Sequence, residues 1–262
     1  MEEYRNNITL GARKVCPEDG NGKSLERAFQ AGLSALFPRH CPVCHDIVQP
    51  RGALICPECE KRLHFVEAPT CLICGREIQD ETEELCSNCK RHHFSFERGI
   101  SLLQYDQVTA DSMAKIKYLG AREYLEYYGK KAAERLGEDI YRMKPDALVP
   151  VPVHVSRRRI RGYNQAGVLA EILGKELDIP VYEDAIRRNK RTAALKSLGA
   201  GERLKSLSAA FERGVIPKDL KTVLLVDDIF TTGATMEACT RILRHAGVKT
   251  VYCLSLCIRS ER

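Results

Sequence analysis

The sequence predicts an α/β protein whose parallel sheet is covered by helices on both faces, preceded by a small module built on cysteines. Three observations carry this. From Phe94 onward, short apolar β-forming runs alternate with helical stretches, the pattern of a parallel sheet with crossover helices. Before Phe94, four Cys-x2-Cys pairs begin at Cys41, Cys56, Cys71 and Cys86, an even spacing that marks a duplicated unit. Val223 to Thr235 reads Val-Leu-Leu-Val-Asp-Asp-Ile-Phe-Thr-Thr-Gly-Ala-Thr. That is a buried strand running into two acids, a small hydroxyl-bearing turn and a helix.

Each element follows in order. Residues 1–24 are polar and without periodicity, and read as a flexible segment. Leu25, Phe29, Leu33 and Leu36 fall at helical spacing until Pro38 stops them, giving a short helix over 25–38. The paired cysteines set a module over 39–93, and a second domain fills 94–262. There, an alternating strand over Gly99–Tyr105 precedes helices near 108–118 and 122–136. Asp146 to Pro152 is a short buried strand running into a proline-stiffened loop that carries His154 and Arg157–Arg161. Asn164–Leu177 is an amphipathic helix with Val168, Leu169, Ile172 and Leu173 on its apolar side. The polar stretch 188–206 is long for a loop and reads as a lid. Strand 222–227, helix 233–246 and strand 249–257 close the chain as a βαβ unit.

Each Cys-x2-Cys pair fits a turn tight enough to aim both sulfurs at one ion, and two pairs complete a tetrahedral thiolate shell. The eight candidate ligands are Cys41, Cys44, Cys56, Cys59, Cys71, Cys74, Cys86 and Cys89, for two structural Zn²⁺ ions. Sequential sharing closes the shortest loops; a cross-braced arrangement is the alternative. Full thiolate shells leave His45, His64, His92 and His93 outside the sites, and Cys239, Cys253 and Cys257 read as small core residues.

In the 223–235 segment, Thr231, Thr232, Gly233, Ala234 and Thr235 offer backbone N–H groups and hydroxyls to a phosphate at a helix N-terminus. Asp227 and Asp228 stand at the strand's carboxyl end, where open α/β sheets place ligands; they suit ribose hydroxyls or a divalent cation. The arginines of 157–161 suit a pyrophosphate, whose charge calls for several guanidinium contacts; a solvated basic face is the alternative for Arg157 and Arg158, while Arg159 and Arg161 gain from neighbouring Asn164. The absence of a GxxxxGK[ST] loop argues against an ATPase.

The 13 residues 223–235 resemble, position for position, the phosphoribosyl-pyrophosphate (PRPP) motif of type I phosphoribosyltransferases. The resemblance widens with Leu36-Phe-Pro-Arg-His-Cys-Pro-Val-Cys44, Lys117-Tyr-x-Gly120, Val149-Pro-Val-Pro152, Arg159-x-Arg-Gly-Tyr-Asn-Gln165, and Glu202-Arg203 with Phe211. Together these resemble the ComF family of competence-associated proteins (ComFC/GntX-like), over residues 33–258. The resemblance implies a double zinc ribbon joined to a type I phosphoribosyltransferase fold. It further implies a PRPP site with Mg²⁺, drawing on Asp227 and Asp228 in the catalytic position, the 231–235 turn, Pro152, Val153, His154, Arg159, Arg161, Asn164 and Lys117. Leu195 and Ser206 depart from the family's usual Gln and Asn, which affects closure of the expected lid.

Composition sets the outer bounds. Hydrophobic content of 44% and charged content of 29% are ordinary for a globular protein, and no apolar run is long enough for a membrane span. The start, Met1-Glu-Glu-Tyr-Arg5, lacks a secretory pattern, so the cytoplasm is the expected compartment, with twelve cysteines kept as thiols. Two tetrathiolate zinc sites would lower the formal +6 charge to about +2, which leaves only local basic clusters as an argument for nucleic acid. The expected role is support of DNA uptake in natural transformation, with single-stranded DNA and a competence helicase as partners. The alternatives are phosphoribosyl transfer to an unknown acceptor, for which no acceptor pocket is legible, and a PRPP-responsive regulator.

Overall fold

Strand β5 (Thr222–Phe230) organises the molecule, a computed structural model that describes residues 38–188 and 210–260. Its residues alternate between two apolar clusters: Leu224 and Val226 belong to one, Val223 and Leu225 to the other. That two-residue period is what a strand covered on both faces requires. The sheet is four-stranded and parallel in the order β1 (Gly99–Gln104), β6 (Thr250–Ile258), β5, β2 (Ala147–Pro150). The expected α/β class and parallel sheet are both present. Helices α3 (Gln107–Tyr118) and α4 (Tyr124–Met143) link β1 to β2, and α6 (Gln165–Leu177) packs over β2 and β5. Helix α7 (Ala234–His245) connects β5 to β6.

Several elements differ from expectation for visible reasons. β1 is buried along its length rather than alternating, because it too is covered on both sides. Helix α4 runs on to Met143, where Lys144 adopts a left-handed conformation and ends it. β5 extends three residues past Asp227, held by pairing of Ile229 with Cys257 and Phe230 with Ile258. Residues 155–161 are not a loop but helix α5 (Val155–Arg161), opened by the His154 side chain accepting from Ser156 N and closed by Gly162 at φ 81°. A two-stranded antiparallel ribbon, β3 (Ile186–Arg188) with β4 (Phe211–Arg213), was not legible; its strands are too short to show a period. The segment 1–24, the 25–37 part of the expected helix, and the expected lid beyond Arg188, with Leu195, Glu202, Arg203 and Ser206, lie outside the described residues.

The cysteine repeats fold alike. Cys41 N donates to Asp46 O (2.8 Å) and His45 N to Cys41 O (3.0 Å); Cys71 N to Arg76 O (2.7 Å) and Gly75 N to Cys71 O (2.9 Å) repeat the knuckle. One-turn helices α1 (Pro57–Glu60) and α2 (Ser87–Arg91) carry the last cysteine of each set. The four sulfurs of Cys41, Cys44, Cys56 and Cys59 lie within 4.8 Å of one another, as do those of Cys71, Cys74, Cys86 and Cys89. Sequential sharing is therefore the arrangement. A zinc tetrahedron with 2.3 Å bonds has edges of about 3.8 Å; Cys74 and Cys86 are 3.6 Å apart. Burial, then hydrogen bonds from the Cys59 thiol to the Cys44 and Cys41 sulfurs, push that thiol up to about 12, a resistance to ionisation that a central dication would remove. Both donor sets fit zinc.

From His40 on, the described chain forms one compact unit, and the two ribbons join it differently. The first ribbon packs in the same apolar cluster as α4 and α6: Tyr127 donates to Glu60 (3.0 Å), and Lys131 pairs with Glu60 (2.8 Å). The second ribbon packs in the other cluster, with Phe230, Met236 and Cys239. The linker between them pairs with the free edge of β1, through Val66 N to Leu102 O and Gln104 N to His64 O.

The second knuckle fixes one residue type. His45 and Gly75 both sit at positive φ, 68° and 72°. A Cβ on Gly75 would lie 2.4 Å from the Gly99 carbonyl, whose own N–H donates to Ile73 O. Gly75→Ala is expected to destabilise by about 2–4 kcal/mol, from left-handed strain plus displaced backbone. A denaturant titration at fixed zinc reads it, and an unchanged midpoint would refute the packing.

Candidate functional site

A cleft of about 300 Å³ opens at the carboxyl ends of β2 and β5. Its walls bring together Lys117, Pro152, Val153, Arg161, Asn164, Asp227, Asp228, Thr231 and Thr235 among the expected site residues. They come from the end of α3, the segment after β2, the end of α5, the residue that opens α6, the end of β5 and the turn into α7, so the site exists only once the sheet is assembled. Thr232, Gly233 and Ala234 complete the turn beside the cleft wall without lining it. His154 spends its ring on capping α5, and Arg159 is exposed outside the cleft.

The acids are arranged by the pleat. Adjacent residues of a strand face opposite ways, so Asp227 and Asp228 straddle β5. Asp228 meets Lys117, Nζ to Oδ2 2.8 Å, with both side chains largely covered. Asp227 accepts from the Asp228 backbone N–H at 2.8 Å. Burial, then the neighbouring Asp228 charge, push the Asp227 carboxyl up to about 7; the Asp228 N–H, Lys117 and Arg188 oppose that only in part.

The turn after β5 is held from outside. Gly233 has φ 81°, and a Cβ there would lie 2.8 Å from both the Phe230 and Phe94 rings. Arg76 of the second ribbon, nearly fully buried, donates from Nη2 to Thr231 O at 2.9 Å. Glu237 in the first turn of α7 accepts from Ser95 N (2.6 Å) and Ser95 Oγ (2.8 Å) and pairs with Arg241. The turn that opens α7 is thereby supported from the ribbon and from the 94–95 segment, beside the cleft.

Sequence reasoning missed part of the wall: Arg188, Arg259 and Tyr105 also line the cleft. Arg157, read with its basic neighbours as suited to a pyrophosphate, lines it too, as do Tyr118 and Gln165 of the motifs quoted above. Burial, then the charge of Arg157, hold Arg188 below the usual guanidinium value, a strain that an anion would relieve. Arg161 lies over the Tyr118 ring (5.4 Å) and Arg259 over Tyr105 (5.5 Å). Of the aromatics near the cleft, Phe230 is buried, Tyr163 donates its hydroxyl to Ile116 O, and Tyr118 stands exposed. Arg259 and Tyr105 carried no motif; only their places at the carboxyl ends of β6 and β1 could have marked them.

Comparison with known proteins agrees with this geometry. A family model described as a double zinc ribbon domain matches residues 32–90, and one described as a phosphoribosyl transferase domain matches 123–262. Competence protein F of Haemophilus influenzae is 30% identical, over 82% of this chain and 95% of its own. Competence protein ComFC of Bacillus subtilis is 27% identical over 74% and 79%. The DNA utilization protein YhgH of Escherichia coli O157:H7 is 34% identical over 43% of this chain and 49% of its own. Among the described residues no helix is long and apolar enough to cross a membrane.

Proposed function

We propose that this chain, which belongs to the ComF family of competence proteins with a double zinc ribbon and a phosphoribosyltransferase domain, binds PRPP with Mg²⁺ in the cleft and handles single-stranded DNA during natural transformation. The observation that carries the ligand is the convergence, in one cleft, of two strand-end carboxylates, a helix-opening turn and four arginines. Carboxylates take the vicinal hydroxyls of the ribose. The turn takes the 5′-phosphate, and Arg157 and Arg161 face the pyrophosphate. Bound Mg²⁺ would supply positive charge against the pyrophosphate oxygens, and Asp227 and Asp228 are the residues here that would favour it. The Lys117–Asp228 pair supplies the counter-charge until then; a ligand hydroxyl reaching Asp228 frees the ammonium for a phosphate oxygen. DNA handling is supported by the competence and DNA-utilization relatives, with a helicase as the expected partner.

Protonation gives this reading a measurable signature. The Asp227 carboxyl sits near 7 in the fold against an ordinary 3.8, so the unfolded chain ionises first. Its effect on stability is absent at acid pH and turns unfavourable as pH climbs from about 4 towards 7. Hydroxyls and a cation favour the ionised carboxylate, so PRPP-Mg²⁺ binding should tighten between about pH 6 and 8 and release about one proton per ligand at the acid end. Calorimetry at pH 6 in two buffers of different ionisation enthalpy counts that proton; a count of zero removes Asp227 from the ligand.

Turnover is decided separately. A pyrophosphate-release assay with PRPP-Mg²⁺ across purine, pyrimidine and other acceptors, run beside single-strand binding titrated with salt, separates transfer from handling. Release with one acceptor establishes a transferase. Salt-sensitive strand binding without release establishes the handling role.

A further inference from the structure

Gln165, the first residue of α6, stands in the wall of the cleft and is only 1% exposed. Among the described residues neither its Oε1 nor its Nε2 has a hydrogen-bond partner. Its neighbour Asn164 gives Nδ2 to Val151 O at 3.1 Å and leaves its own Oδ1 buried and unpaired. An asparagine that precedes a helix ordinarily caps it with that oxygen, and this one does not. Two acceptors and one donor are thus gathered unpaired where α6 opens on the cleft. Buried amides are almost always paired, and an unpaired one costs stability that an apolar side chain of similar shape does not. Ala166, Val168 and Leu169 follow it into the core, so packing alone would favour an apolar side chain at 165.

We propose that Gln165 is a ligand-reading residue, its amide held in reserve behind the cleft wall for an O–H group of the bound ligand. Oε1 accepts from that group, and Nε2 donates to an adjacent ligand oxygen. Phosphate oxygens accept, so they satisfy Nε2 alone. Gln165 Oε1 and Asn164 Oδ1 both need a donor, which a phosphoribosyl ligand offers as a sugar hydroxyl or as a water on its metal. Three side-chain torsions let the amide swing to the cleft without moving α6. The choice of ligand rests on the PRPP reading above; the reserved amide does not.

Gln165→Met tests it, because methionine keeps the length and removes the amide. The ligand-free variant should have a thermal midpoint about 2–4 °C above wild type, since an unpaired buried amide is gone. It should bind PRPP-Mg²⁺ about tenfold more weakly. A midpoint no higher than wild type would show an amide already satisfied within the fold, and unchanged affinity would take it off the ligand; either overturns the proposal. The wild-type Gln165 Nε2–H₂ resonances give a readout that needs no variant, and they should move as PRPP-Mg²⁺ saturates. Ribose 5-phosphate carries hydroxyls without pyrophosphate, and Mg²⁺-pyrophosphate carries metal-bound waters without a sugar. Whichever moves those resonances names the donor. Resonances unmoved by PRPP-Mg²⁺ would refute the assignment. If wild type binds no PRPP-Mg²⁺ in calorimetry, the PRPP reading fails, and the same two fragments decide the amide. Movement with either keeps Gln165 as the reader of that group, and movement with neither refutes it.

Discussion

An Asp227→Asn, Asp228→Asn double variant is expected to lose all measurable PRPP-Mg²⁺ binding while keeping its zinc and its fold. Both carboxylates sit at the end of β5 in the cleft wall, and amides there present neither the charge for a cation nor the paired acceptors for vicinal hydroxyls. Stability should hold, because the wild-type pair is not a stabilising feature. Asp227 is driven towards its neutral form by burial and by its neighbour, so a neutral amide relieves repulsion. The variant gives up the Lys117–Asp228 pair in exchange, a partly covered contact of modest net value. Calorimetry and the thermal midpoint read the two halves separately. Retained affinity would sink the site assignment, and loss of fold would sink the stability argument.

Serine in place of Cys86 is expected to reduce bound zinc from two ions to one and to weaken phosphate binding more than the matching Cys56→Ser variant does. Zinc binding is folding free energy for a ribbon, on the order of 10–16 kcal/mol in isolated finger peptides, so losing one ligand unravels its own module. The difference lies in what each module holds up. The second ribbon carries Arg76 on Thr231 and leads into Phe94 against Gly233 and Ser95 on Glu237. The first ribbon contacts α4 through Glu60 and His45, away from the turn. Hydrogen exchange over residues 231–237, measured without ligand, should rise in Cys86→Ser and not in Cys56→Ser. Equal exchange in both variants would mean that the ribbon does not brace the turn.

The parts of this molecule written in local pattern were legible in its sequence. Even Cys-x2-Cys spacing gave both metal sets, and the run from Val223 to Thr235 gave the strand, the acids and the turn. What local pattern does not encode was missed or misread. Arg157–Arg161 looked like a basic loop because this two-turn helix buries none of its residues and so leaves no apolar period, although Gly162 was present as a stop signal. Arg188 sits in a three-residue strand too short for any period. Arg259 and Tyr105 enter the cleft, and Arg76 meets Thr231, only through the sheet order and the seating of a ribbon, which join residues far apart in the chain. Asp227 was readable as a candidate site residue, but its raised carboxyl depends on packing that one sequence does not show.

Both borders of the sheet are already spoken for. On one side the chain's own 64–66 backbone lies along β1, and on the other Leu148 of β2 exchanges bonds with Pro180 and Tyr182. A partner that recognises proteins by adding a strand to an open sheet has no template there. A protein that joins this one at either border of the four-stranded sheet must instead read side chains. Interface mutations are therefore to be sought among surface side chains, and main-chain mimetic peptides should not compete.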